Sequence, residues 1–415
     1  MNHRIGNLFK GDKVIWMVFL FLCMISIVEV FSASSTLTYK SQNYMGPLFY
    51  HVIMILLGLF VAIVTLNIPC RYFKIVTPLL LLVSFSTLLW VLIGGESING
   101  ANRVIRLAGF TFQPSEIAKG TMVLATAQIL SAMQREDGSG ADKKAMKYVL
   151  IILMPMAFII GIENLSTAAI LFMVIFLMMF IGRVPIMQMG KLMGAGVAVI
   201  VVFLTLVLTL GSIGQDSDAT AATTEQKASK NEIKGGGVFH RFATWRNRIL
   251  NHSDDTNKVR PEDYDIEKNY QVGHANIAIA TSGIIGKGPG NSTERDFLPQ
   301  AFSDFIYAIV IEEAGILGAI VVVFLYVILL FRAARIAGRC ENNFPAFLVL
   351  GLALLLVTQA TINMMVAVGL MPVTGQPLPL ISKGGTSTII NCAYIGAILS
   401  VSRSAKRIEV SPQAK

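Results

Sequence analysis

Long apolar runs bounded by polar residues recur along almost the whole chain. Most are about 20 residues long, the length that an α-helix needs to cross the hydrocarbon core of a bilayer. We therefore predict an all-α polytopic membrane protein with ten transmembrane helices. The predicted spans are 14–34, 47–67, 73–93, 115–133, 147–163, 165–183, 188–212, 303–332, 344–371 and 386–402.

A long polar segment separates the seventh predicted span from the eighth. We predict residues 213–301 to form a large extracytoplasmic loop, and residues 1–415 to form a single membrane domain. Phe239 to Leu250 spaces apolar and Arg residues as a surface amphipathic helix does, although an ordinary loop helix fits equally well. Tyr270 to Gly290 is semi-apolar and Gly-rich, so we expect it to dip back toward the membrane, where irregular backbone is tolerated around a protein cavity.

Composition and charge agree with a membrane protein. The chain is 54% hydrophobic and 14% charged, with a mean hydropathy of +0.65, which excludes a soluble globular protein of this length. With a cytoplasmic N-terminus, the short outside loops hold few cations: Lys40, Arg103, Arg106 and Lys383. The positive-inside rule then places both termini in the cytoplasm. The net charge of +9 therefore indicates topology, and we expect no nucleic-acid partner.

The sequence contains none of the usual signatures of a soluble cofactor or zinc site. The four Cys residues are isolated, without CxxC or Cys/His spacing. There is no GxGxxG or Walker loop, so we expect no nucleotide cofactor.

Carboxylates at the eighth span are the first candidates for chemistry. Asp304 lies where this span begins, and Glu312 and Glu313 lie inside it. Because carboxylates in a membrane are energetically costly, they usually mark function. The structural alternative for Asp304 is a first-turn acid that follows Ser303 as N-cap.

A second group of charges surrounds the start of the fourth span. Pro114 suits the first helical position and Glu116 the first turn, and Lys119 is three residues further on the same face, so Glu116 and Lys119 can pair. The pair either faces a cavity or is purely structural. Arg103 and Arg106 lie just outside, where they could meet an anionic substrate or be solvated loop charges.

A Pro- and Gly-rich segment breaks the apolar pattern before the last span. Gly369 to Ser387 contains prolines and glycines that must interrupt a helix. Lys383 and exposed amides at the start of the following helix would suit an anionic group such as a diphosphate. A structural turn is the alternative.

Three separated motifs resemble the SEDS family of bacterial shape, elongation, division and sporulation proteins. They read NGANRVIRLAGFTFQPSEIAK, LPQAFSDFIYAIVIEEAGILG and GLMPVTGQPLPLISKGGTS. The resemblance covers nearly the whole chain and is closer to the family's division member than to its elongation member. It implies a peptidoglycan glycosyltransferase that polymerises lipid II at the outer face of the bacterial cytoplasmic membrane, during septal synthesis.

The resemblance also implies partners. They are lipid II, undecaprenyl-diphosphate-linked glycan, a class B penicillin-binding protein acting as transpeptidase, and other divisome proteins. A lipid II flippase and a non-catalytic divisome scaffold are the alternative functions.

Site residues follow from the same resemblance, position by position. The family's essential aspartate corresponds to Asp304, and the other matched positions are predicted to bind substrate: Arg103, Glu116, Lys119, Ser382, Gly384, Gly385 and Ser387. Inversion at the donor sugar needs a base on the acceptor hydroxyl, for which we predict Asp304. Arg103, Lys119 or a divalent cation such as Mg²⁺ or Mn²⁺ would offset diphosphate charge.

Some positions depart from the family pattern. Lys383 stands where the family often has Tyr, and Phe302 where it often has His. The acid of Glu163-Asn164 is shifted by one residue. No role is therefore transferred to these positions.

Overall fold

The structure is a computed structural model, and it describes residues 10–33, 46–98, 101–107, 110–136, 139–222, 270–298 and 301–405. Helices dominate the described part and are numbered in chain order. They are α1 (Lys13–Ala33), α2 (Gly46–Asn67), α3 (Cys70–Gly94), α4 (Pro114–Ala132), α5 (Lys143–Glu163), α6 (Leu165–Ile181), α7 (Ile186–Ala222), α8 (Tyr270–Ser282), α9 (Ile306–Ala337), α10 (Asn343–Ala367) and α11 (Thr386–Ala405).

This helix set confirms the predicted class of an all-α polytopic membrane protein. Each of the ten predicted spans coincides with one of these helices, and α8 is additional. Seven of the described helices are long and apolar enough to cross a membrane, and α6 is a shorter apolar helix. The exact number of ten spans stays a prediction, as does the single domain over 1–415.

The predicted loop between α7 and α8 begins later than expected. We placed its start at Ile213, whereas α7 continues to Ala222. The predicted amphipathic helix at Phe239–Leu250 lies outside the described residues. The loop's last part contains α8, a helix that the sequence analysis did not predict.

A small antiparallel sheet lies between α3 and α4, in the order β1 (Glu96–Ile98), β2 (Ala101–Leu107), β3 (Phe110–Phe112). The sequence analysis treated this region as a plain loop. Its β-branched and aromatic residues favour strands, and Ile105 pairs with Phe112. The sheet leads directly into α4.

The helices differ strongly in how much of their surface the protein covers. In the most apolar part of α10, 61% of residues are buried, against 6% for the Ile186–Val207 part of α7. Leu348 on α10 packs in one apolar core with Leu22 of α1, Leu130 of α4 and Ile398 of α11. Glu116 and Lys119 on α4, and Gln359 and Asn363 on α10, are buried inside the protein.

Helix α9 is broken at Gly315, whose φ of 70° is not helical. Tyr307 Oη donates to the carbonyl of Ala319 at 3.3 Å. Twelve residues of straight helix would rise about 18 Å, so α9 must bend at the break for this bond to form.

Candidate functional site

Asp304 lies in a turn, residues 301–305, that comes directly before α9. Phe305 is the N-cap residue and the helix begins at Ile306, so no acid lies in its first turn. The structural alternative, a first-turn acid capped by Ser303, is therefore wrong. Instead, Ser303 Oγ donates to Asp304 Oδ1 at 2.9 Å, and Asp304 is half-buried.

The backbone of this turn is fixed from the segment between α10 and α11. Ser382 Oγ donates to the carbonyl of Ser303 at 2.6 Å. The amide of Lys383 donates to the carbonyl of Phe302 at 2.9 Å. Because these bonds use consecutive peptide groups, residues 382–383 lie beside the turn that carries Asp304.

Asn363 on α10 adds a third attachment. Its Nδ2 donates to the carbonyl of Asp304 at 2.8 Å and to that of Gln376 at 2.7 Å. Asn363 is 1% exposed, so both bonds are protected from water. The carboxylate of Asp304 is thereby held at a defined place relative to α10.

The segment between α10 and α11 is broken backbone, as its sequence predicted. Gly369, Gly375 and Gly385 have φ values of 74°, 67° and 52°, and Leu380 has 67°. A Cβ added to Gly375 would lie 3.6 Å from Asp304 Oδ2, which is ordinary van der Waals contact. The segment therefore passes directly beside the Asp304 carboxylate.

The predicted pairing of Glu116 and Lys119 is confirmed. Lys119 Nζ lies 2.8 Å from Glu116 Oε1 and 2.6 Å from Gln359 Oε1 of α10. The two charged residues are 2% and 0% exposed, so the pair is enclosed by protein. Their predicted contact with substrate stays a prediction.

Two amide side chains connect the broken segment to neighbouring helices, and one of them, Gln359, also contacts the ion pair. Gln359 Nε2 donates to the carbonyl of Pro377 at 3.1 Å. Gln376 Nε2 donates to Thr167 Oγ1 at 2.9 Å, and Asn164 caps α6 by accepting from the amide of Thr167 at 3.3 Å. The position with the shifted acid, Glu163-Asn164, is thus the junction of two helices, where α5 ends at Glu163 and Asn164 caps α6.

The sequence analysis missed Thr167, Gln359, Asn363 and Gln376. A signal for two of them exists, because Gln359 and Asn363 are four residues apart in an apolar helix and so share one face. Thr167 and Gln376 carry no comparable signal, since only the fold brings them together.

The other predicted substrate-binding residues are placed as follows. Ser387, on α11, donates from its amide and its Oγ to the carbonyl of Gly384 at 3.0 and 2.9 Å. Ser382 Oγ also accepts from the amide of Leu378 at 2.7 Å. Gly384 and Gly385 are half-buried. Arg103 belongs to β2, and its side chain lies outside the described residues.

Glu312 and Glu313 hold the loop that follows α8. Glu312 Oε1 accepts from Lys287 Nζ at 2.6 Å and from Thr293 N at 3.0 Å. Glu313 Oε2 accepts from Gly290 N at 2.9 Å. These acids therefore fix the chain leading toward the Asp304 turn.

A metal site is not evident in the part of the chain that the structure describes. No group of three or more His, Cys, Asp or Glu side chains there could hold an ion. The divalent cation, Mg²⁺ or Mn²⁺, stays a prediction.

Comparison with known proteins gives consistent matches. A family model described as "Cell cycle protein", for FtsW, RodA and SpoVE, matches residues 12–407. A probable peptidoglycan glycosyltransferase FtsW of Coxiella burnetii is 28% identical over 395 residues, covering 93% of this chain and 95% of the relative. The peptidoglycan glycosyltransferase MrdB of Escherichia coli is 25% identical over 402 residues, covering 96% and 95%.

One solved structure shows the same fold. It is described as the structural coordination of polymerization and crosslinking by a peptidoglycan synthase complex. The matching chain has a TM-score of 0.70 and 22% identity, with 95% of this chain and 98% of that chain covered.

Proposed function

The chain belongs to the FtsW/RodA/SpoVE family of cell cycle proteins, and we propose that it is a peptidoglycan glycosyltransferase that polymerises lipid II into glycan strands. The names of similar proteins, probable FtsW and MrdB glycosyltransferases, support this activity. Septal synthesis is the finer part of the proposal, supported by the FtsW name of several relatives. The protein would act in the bacterial cytoplasmic membrane, with both termini cytoplasmic.

The observation that carries the proposal is the way Asp304 is held. Its carboxylate is half-buried, while its own carbonyl is bonded to Asn363 and the preceding carbonyl to Ser382. A general base must keep its geometry through the reaction, and backbone anchoring on both sides provides that. Asp304 would accept the proton of the acceptor sugar's 4-hydroxyl as the hydroxyl oxygen attacks C1 of the donor.

The bond from C1 to the diphosphate breaks in the same step, with inversion at C1. The leaving diphosphate needs positive charge close by. Arg103 is predicted to meet it, with Ser382, Gly384, Gly385 and Ser387 lining the substrate. Glu116 would hold Lys119, which acts on the broken segment through Gln359.

Two partner classes belong to the proposal. A class B penicillin-binding transpeptidase would crosslink the glycan as it is made, which fits the similarity in fold to a chain of a peptidoglycan synthase complex. Other divisome proteins would recruit the pair to the septum.

The first prediction concerns Asp304. Asp304→Asn keeps the size of the side chain but removes the base, so polymerisation of lipid II should fall by about 10²-fold or more. The measurement is glycan-chain synthesis by the purified protein in liposomes. Asp142→Asn is the control, since Asp142 caps α5 in a different part of the protein and should keep the wild-type rate.

The same liposomes separate the alternatives. A flippase would move lipid II across the bilayer without polymerising it, and a scaffold would do neither. Wild-type rates in a folded Asp304→Asn variant would contradict the role given to Asp304.

A further inference from the structure

Lys383 lies beside the turn that carries Asp304. Its amide bonds to the carbonyl of Phe302, two residues before Asp304, and the neighbouring Ser382 bonds to the carbonyl of Ser303. Lys383 follows this path between α10 and α11, outside the helices, and is half-buried. Its side chain therefore starts from the rim of the candidate site.

The Lys383 ammonium is held without being neutralised. Its Nζ lies 5.0 Å from the centre of the Phe302 ring, within the range of a cation–π contact. Among the described residues, no carboxylate lies within ion-pair distance of this Nζ. An aromatic ring carries no net charge, so Phe302 does not neutralise the ammonium.

Partial burial makes this unpaired charge costly. Desolvation lowers the pKa of Lys383 from its ordinary value of 10.5. A nearby anion would reverse that effect. The site is thus electrostatically prepared for a negatively charged ligand.

The other described cations around the site are already engaged. Lys119 is 0% exposed and bonded to Glu116 and Gln359, so its ammonium has no free surface. Lys287 is paired with Glu312. Arg295 Nη1 donates to Ser32 Oγ at 2.9 Å and to the carbonyl of Gly290 at 2.7 Å.

We infer that Lys383 binds the diphosphate of the polyprenyl-linked substrate, beside Asp304. The inference rests on the proposed function, because that function supplies a diphosphate leaving group. It gives a binding role to a position where related proteins often have Tyr, and Phe302 becomes the residue that orients the ammonium. The proposed base, Asp304, and the cation that meets the leaving group, Lys383, would then lie on two adjacent segments that are hydrogen-bonded to each other.

The test measures binding without turnover. Undecaprenyl diphosphate and undecaprenyl monophosphate are titrated separately onto the full-length protein in nanodiscs. Wild type should prefer the diphosphate. Lys383→Met, which keeps the length of the side chain but removes its charge, should bind the diphosphate about tenfold more weakly and lose most of this preference.

Two further variants keep the result interpretable. Lys383→Arg retains the charge and should bind within about threefold of wild type, which separates loss of charge from misfolding. Lys144→Met removes an exposed lysine at the start of α5 and should behave as wild type. Elution as a single species in size-exclusion chromatography checks each variant.

The possible outcomes are distinct. If folded Lys383→Met binds the diphosphate as tightly as wild type, or if wild type does not distinguish the two lipids, the inference is wrong, whatever the polymerisation assay shows. If Lys383-dependent diphosphate binding is found but wild type fails to polymerise lipid II with its partner present, the binding role stands and the proposed function fails.

Discussion

One carboxamide, that of Asn363, joins the two chain segments that form the candidate site. Both of its N–H groups are used, one on the carbonyl of Asp304 and one on that of Gln376. With both hydrogens bonded to carbonyls, the orientation of the amide is fixed, and its oxygen has no hydrogen-bond partner among the described residues. Asn363 therefore positions the turn without offering the substrate a donor.

Replacing Asn363 should lower turnover more than substrate affinity. Asn363→Leu leaves two buried carbonyls without donors, each at a cost of about 1–3 kcal/mol. We expect kcat for lipid II polymerisation to fall about tenfold or more while KM stays within about threefold, because the displaced group is the proposed base. Steady-state kinetics on the purified protein give both values.

Thr361→Ala is the matched control. Thr361 lies on the same helix, is exposed, and among the described residues its hydroxyl bonds only to the carbonyl of Val357 one turn earlier. Its kinetics should equal those of wild type. If Asn363→Leu raised KM and left kcat unchanged, Asn363 would be a substrate-binding residue rather than a positioning residue.

At the scale of elements, backbone hydrogen bonds join the loop after α8 to α9 at its break. The amides of Lys287 and Gly288 donate to the carbonyls of Glu312 and Glu313, both at 2.9 Å. These carbonyls become available because α9 is interrupted at Gly315. The break in the helix is therefore the docking point of the loop.

Gly286 is the residue that permits this close approach. Its φ is +84°, and an added Cβ would overlap the carbonyl of Glu313 and the amide of Gly315. We expect Gly286→Ala to lower the thermal midpoint clearly and to reduce polymerisation, since the backbone must move as well as adopt a disfavoured φ.

Gly290→Ala separates the effect of the disfavoured φ from the effect of the overlap with α9. Gly290 has a similar φ of +82°, but nothing lies within 4 Å of an added Cβ. This control should lose only about 1 kcal/mol, the ordinary cost of a left-handed conformation for alanine. Equal losses in the two variants would show that the overlap with α9 is unimportant.

At the scale of the whole molecule, the buried Glu116–Lys119 pair connects α4 to α10. Lys119 is shared between Glu116 on α4 and Gln359 on α10. Lys119→Met leaves the Glu116 charge buried without its partner, so we expect destabilisation of about 3–5 kcal/mol. The double variant Lys119→Met/Glu116→Leu should recover most of that loss, because an apolar pair of similar volume is usually tolerated.

Thermal unfolding in detergent measures both variants. The double variant removes more native contacts than the single variant. If it is nevertheless the more stable of the two, the loss in the single variant comes from the unpaired charge of Glu116. A single variant as stable as wild type would contradict the enclosed geometry of the pair.

Features that depend on local spacing along the chain could be predicted from the sequence. Contacts between segments distant in sequence could not. The length of the apolar runs located the helices, and the separation of Glu116 from Lys119 predicted their pairing. Ser303 as a cap was wrong, because α9 begins only at Ile306. Contacts such as Gln376 with Thr167 join residues 209 positions apart, and no local pattern encodes them.

The small sheet and α8 were missed for a different reason. Short strands such as β1 and β3 span only three residues each, too few for a recognisable alternation. Residues 270–290 contain five Gly residues, and the whole stretch was therefore expected to be irregular backbone, but four of the five lie after α8.

The turn that contains Asp304 is held by hydrogen bonds to the peptide carbonyls of three successive residues, 302, 303 and 304. Every amino acid has a peptide carbonyl, so these hydrogen bonds do not depend on which side chain occupies position 302 or 303. A different side chain at either position would therefore leave these backbone bonds available and the carboxylate in its place. Side chains at the neighbouring positions thus set the charge around the carboxylate, whereas the backbone bonds set its location.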